Sequence, residues 1–310
     1  MTRPFRFSVQ SSGLPGAVDF IEMARRAEGL GYAAFGLPDH FEDQYAPMIA
    51  LAAVAQATDT IELQPLVLAN DYRHPVVLAK EAATLDVLSG GRFVMAIGAG
   101  WMRTDYDQAG MAYDRPGVRI ARLEESVKVL KGLFAGEPFS FEGDHYVITE
   151  MTGQPKPVRE PHMPFLIAGG GRKILSLAAR EADIVGFNPG LAAGVIDERI
   201  APTAHAEATD QKLDWVREAA GDRIDDIELQ TSVFFGSITD DAQGSAEFMA
   251  STIGATAKQM LESPHVLLGT VDECIERVQT WRERWGISYI SFSSDFMDDM
   301  APVVAALAGT

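Results

Sequence analysis

Short strand-like runs alternate with longer helical patterns along nearly the whole chain, and this alternation leaves few architectures open. Residues 5–9, 33–37, 61–68, 92–97, 165–168, 183–187, 227–235 and 289–292 read as eight strands. After the first, residues 17–30 predict a helix with Ile21, Ala24 and Ala27 on one side. An alanine-rich helix over residues 47–57 follows the second. The helix after Pro75 has its proline in the first turn, where the missing N–H costs little, and stops at Ser89-Gly90-Gly91. Ile120, Leu123, Val127, Leu130 and Phe134 recur near a 3.6-residue period and mark a long helix. A further helix before the eighth strand carries Ile275, Val278, Trp281 and Trp285. The repeated order of strand, tight turn and helix requires parallel strands joined by right-handed crossovers. Eight of them predict an α/β fold, a (β/α)8 TIM barrel.

At 310 residues and 47% hydrophobic content the chain can bury a large core, and no linker divides it, so residues 1–310 read as a single domain. Two stretches do not fit an ideal barrel. Residues 136–163 read as an inserted hairpin, with strands at 139–141 and 145–148 around Glu142-Gly143-Asp144. Residues 189–209 read as a long, alanine-rich loop after the sixth strand, and loops of that length are usually lids or binding segments.

The formal net charge of −18 repels nucleic acid and anionic membrane surfaces, which leaves a small-molecule substrate as the expected partner. No run of about 18 apolar residues predicts a membrane span, and no apolar leader precedes the first strand. Cys274, the single cysteine, cannot form an intrachain disulfide; it reads as a packed helix residue in a cytoplasmic protein. Apolar faces on the helices would suit a homodimer.

Three turns carry the chemistry: Pro38-Asp39-His40-Phe41, Gly98-Ala99-Gly100-Trp101 and Ala168-Gly169-Gly170-Gly171. Each follows a predicted strand, and in a barrel all three share the rim where active sites lie. His40 is the candidate acid/base residue, and Asp39 could orient it or accept a hydrogen bond from a cofactor. Gly98 and Gly100 permit close backbone approach to a ligand. The triple glycine opens a helix whose free N–H groups could meet a phosphate, with Arg172 or Lys173 adding charge. Asn70 could bond a ring edge or a ribityl hydroxyl, Asn188 could touch a substrate, and His74, before a proline, reads as structural. The histidines are scattered without metal-ligand spacing, so no metal is expected. A strict dinucleotide fingerprint, a P-loop and a nucleophile elbow are all absent.

These stretches, with Asn70 to Pro75, Leu85 to Arg92, Glu124-Glu125 to Leu133, Phe141-Glu142-Gly143 and Pro164 to Gly171, resemble the luciferase-like monooxygenase superfamily. The resemblance is to its branch of oxidoreductases that use the deazaflavin coenzyme F420, and it covers residues 5–190 best. It implies a tricyclic ring at the rim beside Asp39 and His40, with His40 as acid/base. Leu66, Val67 and Leu68 would form a bulge, often with a cis peptide, under one ring face. Ala99, Gly100 and Thr104 would contact the cofactor tail, Gly170, Gly171, Arg172 and Lys173 would hold its phosphate, and Ala168 and Gly169 would also bind the cofactor. Trp101 stands where related sugar-phosphate dehydrogenases carry a glutamate, and Gln44 where they carry a tryptophan. The loop from Asn188 to Gly194 lacks Lys or Arg. The expectation is hydride transfer between F420 and a carbonyl, imine or activated alkene, with Trp101 and Asn188 on the substrate side. An FMN-dependent monooxygenase on the same barrel and a non-catalytic ligand-binding barrel remain open alternatives at this point.

Overall fold

The computed structural model describes residues 3–310. In chain order the elements are β1 Arg6–Gln10, α1 Ala17–Gly29, β2 Ala34–Gly36, α2 Pro47–Ala57, β3 Glu62–Leu63, β4 Leu68–Ala69, α3 Pro75–Ser89 and β5 Met95–Gly98. They continue with α4 Arg103–Ala109, α5 Pro116–Phe134, β6 Pro138–Glu142, β7 Val147–Thr152, β8 Phe165–Gly169, α6 Arg172–Glu181, β9 Ile184–Phe187 and α7 Ala206–Ala220. The chain closes with β10 Glu228–Val233, β11 Phe235–Ile238, α8 Ala242–Ile253, α9 Ala257–Glu262, β12 Val266–Gly269, α10 Val271–Trp285, β13 Ile287–Ser293 and α11 Met297–Leu307.

Nine strands form one curled sheet in the order β3-β2-β1-β13-β10-β9-β8-β5-β4, and every neighbouring pair is parallel. The third predicted strand is split: β3 and β4 stand at opposite ends of this order. Between them the chain leaves the ladder, with a cis peptide at Leu66–Val67. The Gln64 carbonyl crosses so close to Gly36 that a Cβ there would lie 1.6 Å from it. β3 returns to the segment just before β5 through an isolated bridge, Leu63 to Phe93, in which Leu63 N–H donates to the Arg92 carbonyl at 2.9 Å. The expected closed barrel is thus seen as a curled sheet whose continuous ladder stops at β3 and β4.

Strand periodicity explains where the core sits. Phe7, Val9, Phe35, Ile97, Ile167, Val185 and Phe292 face the helices and join the main apolar cluster. Alternate positions face the other way and form a smaller cluster of Ala34, Val94, Ala96, Leu166, Ala168, Ile184 and Tyr289. Tyr289 there donates its hydroxyl to Gln64 Oε1 at 2.7 Å. The inner face thus mixes alanines with branched apolar residues and carries the Tyr289–Gln64 polar pair.

The helix signals are local and strong. α3 has Pro75 at its start, the His74 ring accepting from Val76 N–H, and Gly90 in the left-handed region at its end. α10 opens with a capping box between Thr270 and Glu273 and buries Cys274, Val278, Trp281 and Trp285. The inserted hairpin forms as antiparallel β6 and β7, although its second strand starts at Val147 rather than 145.

Two further expectations are corrected. The seventh strand ends at Val233, because Phe234 N–H turns to the His265 carbonyl at 2.9 Å; Phe235 then begins a separate parallel pair, β11 with β12. The long loop after β9 is shorter than 189–209, since α7 begins at Ala206.

Candidate active site

Parallel strands deliver the turns that follow them to one end of the sheet, so the three turns share a rim. The turn after β9 is held to that after β8 by the backbone: Asn188 N–H donates to the Gly169 carbonyl at 3.0 Å.

His40 is partly buried. Its Nδ1 meets Asp105 Oδ2 at 2.7 Å, and Asp105 is almost fully buried. Phe41 N–H donates to Asp105 Oδ1 at 3.2 Å and the Tyr72 hydroxyl donates to Oδ2 at 2.8 Å. Three donors fix this carboxylate. Burial, together with the carboxylate's charge, pushes the Tyr72 hydroxyl pKa far up, so that group stays protonated. With Nδ1–H given to the carboxylate, Nε2 is the nitrogen that can exchange a proton. The Trp101 ring stands edge-on to the imidazole, centroids 5.6 Å apart.

Asp39 does not orient His40. Its carboxylate is held by Arg73, at 2.5 Å and 3.0 Å, and accepts Ala69 N–H at 2.9 Å. This two-pronged pair, with Asp39 buried and Arg73 half-buried, ties the His40 turn to the end of β4. Asn70 is 1% exposed. Its Nδ2 faces the Tyr146 hydroxyl at 3.4 Å, while its Oδ1 is buried with no partner. Asp71 beside it accepts from the Tyr106 hydroxyl at 3.0 Å and pairs with Arg122 at 2.9 Å.

Gly100 has φ +71°, and a Cβ there would strike the Tyr106 hydroxyl at 2.1 Å, so this turn requires glycine on two counts. Gly170 is packed against the Pro189 carbonyl, which a Cβ at this position would approach to 2.3 Å, whereas nothing lies within 4 Å of a Cβ on Gly171. No side chain caps α6, so its first N–H groups stay available. Arg172 turns outward to Glu218, with both carboxylate oxygens at 2.8 Å. Lys173 and Thr104 are exposed on the same rim. Asn188 Oδ1 is buried without a partner, and its carbonyl accepts from Lys212 Nζ at 2.8 Å. Lys212 also donates to the Thr203 carbonyl at 2.6 Å, and burial lowers its ammonium to about 8.

Asp105, Tyr72, Tyr106 and Tyr146 are members of this constellation that sequence reading passed over. Asp105 had only the look of an ordinary acid in the first turn of a helix, where the dipole favours one.

The chain matches the profile of the luciferase-like monooxygenase family over residues 2–289, and it belongs to that family. It is an enzyme of this class, so the non-catalytic alternative is set aside. It is 25% identical over 322 aligned positions to an F420-dependent glucose-6-phosphate dehydrogenase of Amycolatopsis mediterranei, covering 94% of this chain and 96% of the relative. It is 29% identical over 171 positions to an FMNH2-dependent dimethylsulfone monooxygenase of Pseudomonas putida, covering 54% and 47%. Among solved structures it resembles an F420-dependent secondary alcohol dehydrogenase holding an F420-acetone adduct, with TM-score 0.78 and 19% identity over 98% and 99% of the two chains. At that identity the likeness speaks for the fold. No helix among the described residues is long and apolar enough to cross a membrane.

Proposed function

We propose that this protein is an F420-dependent oxidoreductase acting on a small organic carbonyl, imine or activated alkene. The observation that carries the reading is the His40–Asp105 pair, 2.7 Å apart, set on the rim beside two glycine turns. The residues fit such a cofactor: Asn70 offers a buried acceptor without a partner, and Gly171 leaves open space where any side chain would intrude. Asn70 and the turns at 98–101 and 169–171 would hold it, and when bound it would supply the hydride.

The chain's own residues do the rest. Asp105 keeps the imidazole in one tautomer and stabilises it when Nε2 carries a proton, as a buried carboxylate does for a catalytic histidine. His40 Nε2 then gives the proton to, or takes it from, the heteroatom whose neighbouring carbon exchanges hydride. Trp101 provides an apolar wall beside the imidazole. Fixed placement of the reactants supplies much of the rate.

A neutral substrate suits this site better than a phosphorylated one. Trp101 replaces the acid of the sugar-phosphate dehydrogenases, residues 188–198 carry no Lys or Arg, and Lys212 is occupied by two carbonyls. The Pseudomonas putida relative favours a second reading, FMN-dependent monooxygenation. Titration of the purified protein with F420 and with FMN, followed by fluorescence and calorimetry, separates the two. Tight F420 and weak FMN binding supports the reductase; the reverse replaces it with the monooxygenase.

We further infer that residues 1–310 form one eight-stranded barrel closed near the Leu63–Phe93 bridge, in a cytoplasmic homodimer. Exposed Ile49 on α2 and Val77 on α3 support the dimer, and sedimentation velocity tests it.

A further inference from the structure

Arg119, one turn into α5, is 2% exposed, yet its Nε and Nη1 have no hydrogen-bond partner. Among the described residues no carboxylate pairs with it. Asp71 and Asp114 are both taken by Arg122, and Asp71 accepts from Tyr106 as well. What Arg119 does meet is aromatic: the Tyr113 ring 4.2 Å and the Tyr106 ring 5.7 Å from its guanidinium carbon. Ring faces offset only part of the cost of burying a cation, and a buried charge normally has a counter-ion.

Its position says which counter-ion. The Tyr106 hydroxyl is packed against Gly100, and the Tyr113 hydroxyl donates to the Trp101 carbonyl at 2.9 Å. Two residues before Arg119, a Cβ on Gly117 would lie 3.6 Å from Lys173 Nζ in the first turn of α6. Arg119 therefore lies between the turn after β5, reached through Tyr106 and Tyr113, and the first turn of α6, reached through Gly117. We propose that Arg119 is the buried cation that binds the phosphate group of the cofactor seated across these turns. This rests on the cofactor reading above. A guanidinium with unpartnered N–H groups suits a phosphate, which accepts from several of them at once.

The test compares wild type with Arg119→Met, after circular dichroism shows that the variant is folded; Arg119→Gln replaces it if it is not. Each is titrated by calorimetry with F420 and its phosphate-free deazaflavin nucleoside, and with FMN and riboflavin. The expected result is that the variant loses about tenfold or more in affinity for the phosphorylated member that wild type prefers. Affinity for the phosphate-free partner stays unchanged. Equal loss for both members, or loss for neither, overturns the proposal. If wild type binds none of the four, the cofactor reading fails separately, and inorganic phosphate becomes the probe. Thermal stabilisation by phosphate in wild type that vanishes in the variant then supports an anion site at Arg119; identical responses overturn it.

Discussion

His40 owes its orientation to Asp105, 65 positions away in the chain. Replacing His40 with Ala should lower kcat by roughly 100-fold or more while cofactor affinity stays near that of wild type. Asp105→Asn removes the negative acceptor but keeps the shape, and should lower kcat by about tenfold or more with KM little changed. Steady-state kinetics with separate cofactor titrations checks both, and normal turnover in either variant would remove the pair from the mechanism. The glycine turns give a second residue-scale test. Gly171 has φ −117° as the cap of α6 and open space at its Cβ position, so Gly171→Ala should leave the melting temperature unchanged while weakening cofactor binding. Gly170→Ala must push the Pro189 carbonyl aside and should lose stability and binding together. Asp39 and Asp105 also show the limit of reading by neighbourhood: the acid next to His40 in sequence bonds Arg73, and the distant one bonds His40.

The turn of the inserted hairpin is tied to α5 by a carboxylate. Glu125 on α5 accepts the N–H groups of Asp144, His145 and Tyr146 at 2.9, 2.9 and 3.1 Å, and these bonds hold its pKa below the usual carboxylate range against the opposing effect of burial. The turn so fixed carries Tyr146 to Asn70 and to the edge of the His74 ring. Glu125→Ala leaves three N–H groups without their acceptor and should cost about 1–3 kcal/mol. Hydrogen exchange should then speed up at Asp144, His145 and Tyr146 while β8 amides stay protected; unchanged protection at the turn would show that the anchor is dispensable. The hairpin's existence was legible from its alternation and its Glu-Gly-Asp turn. Its attachment was not, because Glu125 sits in an ordinary helical pattern. The break between β10 and β11 was invisible for a similar reason: residues 227–235 are uniformly strand-like, and only the His265 carbonyl redirects Phe234.

At the scale of the whole molecule, acid sensitivity has an internal source. His265 is buried; its Nδ1 bonds the Ser232 carbonyl at 2.9 Å and its Nε2 has no partner. Burial, with the nearby Lys212 charge, pushes its pKa down from 6.5 to about 3. The folded state thus refuses a proton that the unfolded chain accepts below pH 6.5. The stability contribution of the neutral ring is complete above that pH and is lost as pH falls from 6.5 toward 3. Between pH 7 and pH 5 this one group should account for about 2 kcal/mol. Urea unfolding at both pH values should show that much less acid loss in His265→Gln than in wild type, and equal slopes would exclude His265 as the source.

The alternation of short strands with amphipathic helices, the glycine stops and the proline starts are local properties, and they determined the α/β class, most element positions and the three rim turns. The helix-facing and inward-facing positions of each strand were also set by period alone, since successive side chains must point to opposite sides. What only the tertiary structure decided was pairing: Asp105 with His40, Arg73 with Asp39, Tyr146 with Asn70, and Arg172 with Glu218. Hydrogen bonds and ion pairs act over a few ångströms in space, and separation along the chain does not report that distance. The split of the third strand into β3 and β4 belongs with them, because it is the curl of the sheet that brings Leu63 back to Phe93.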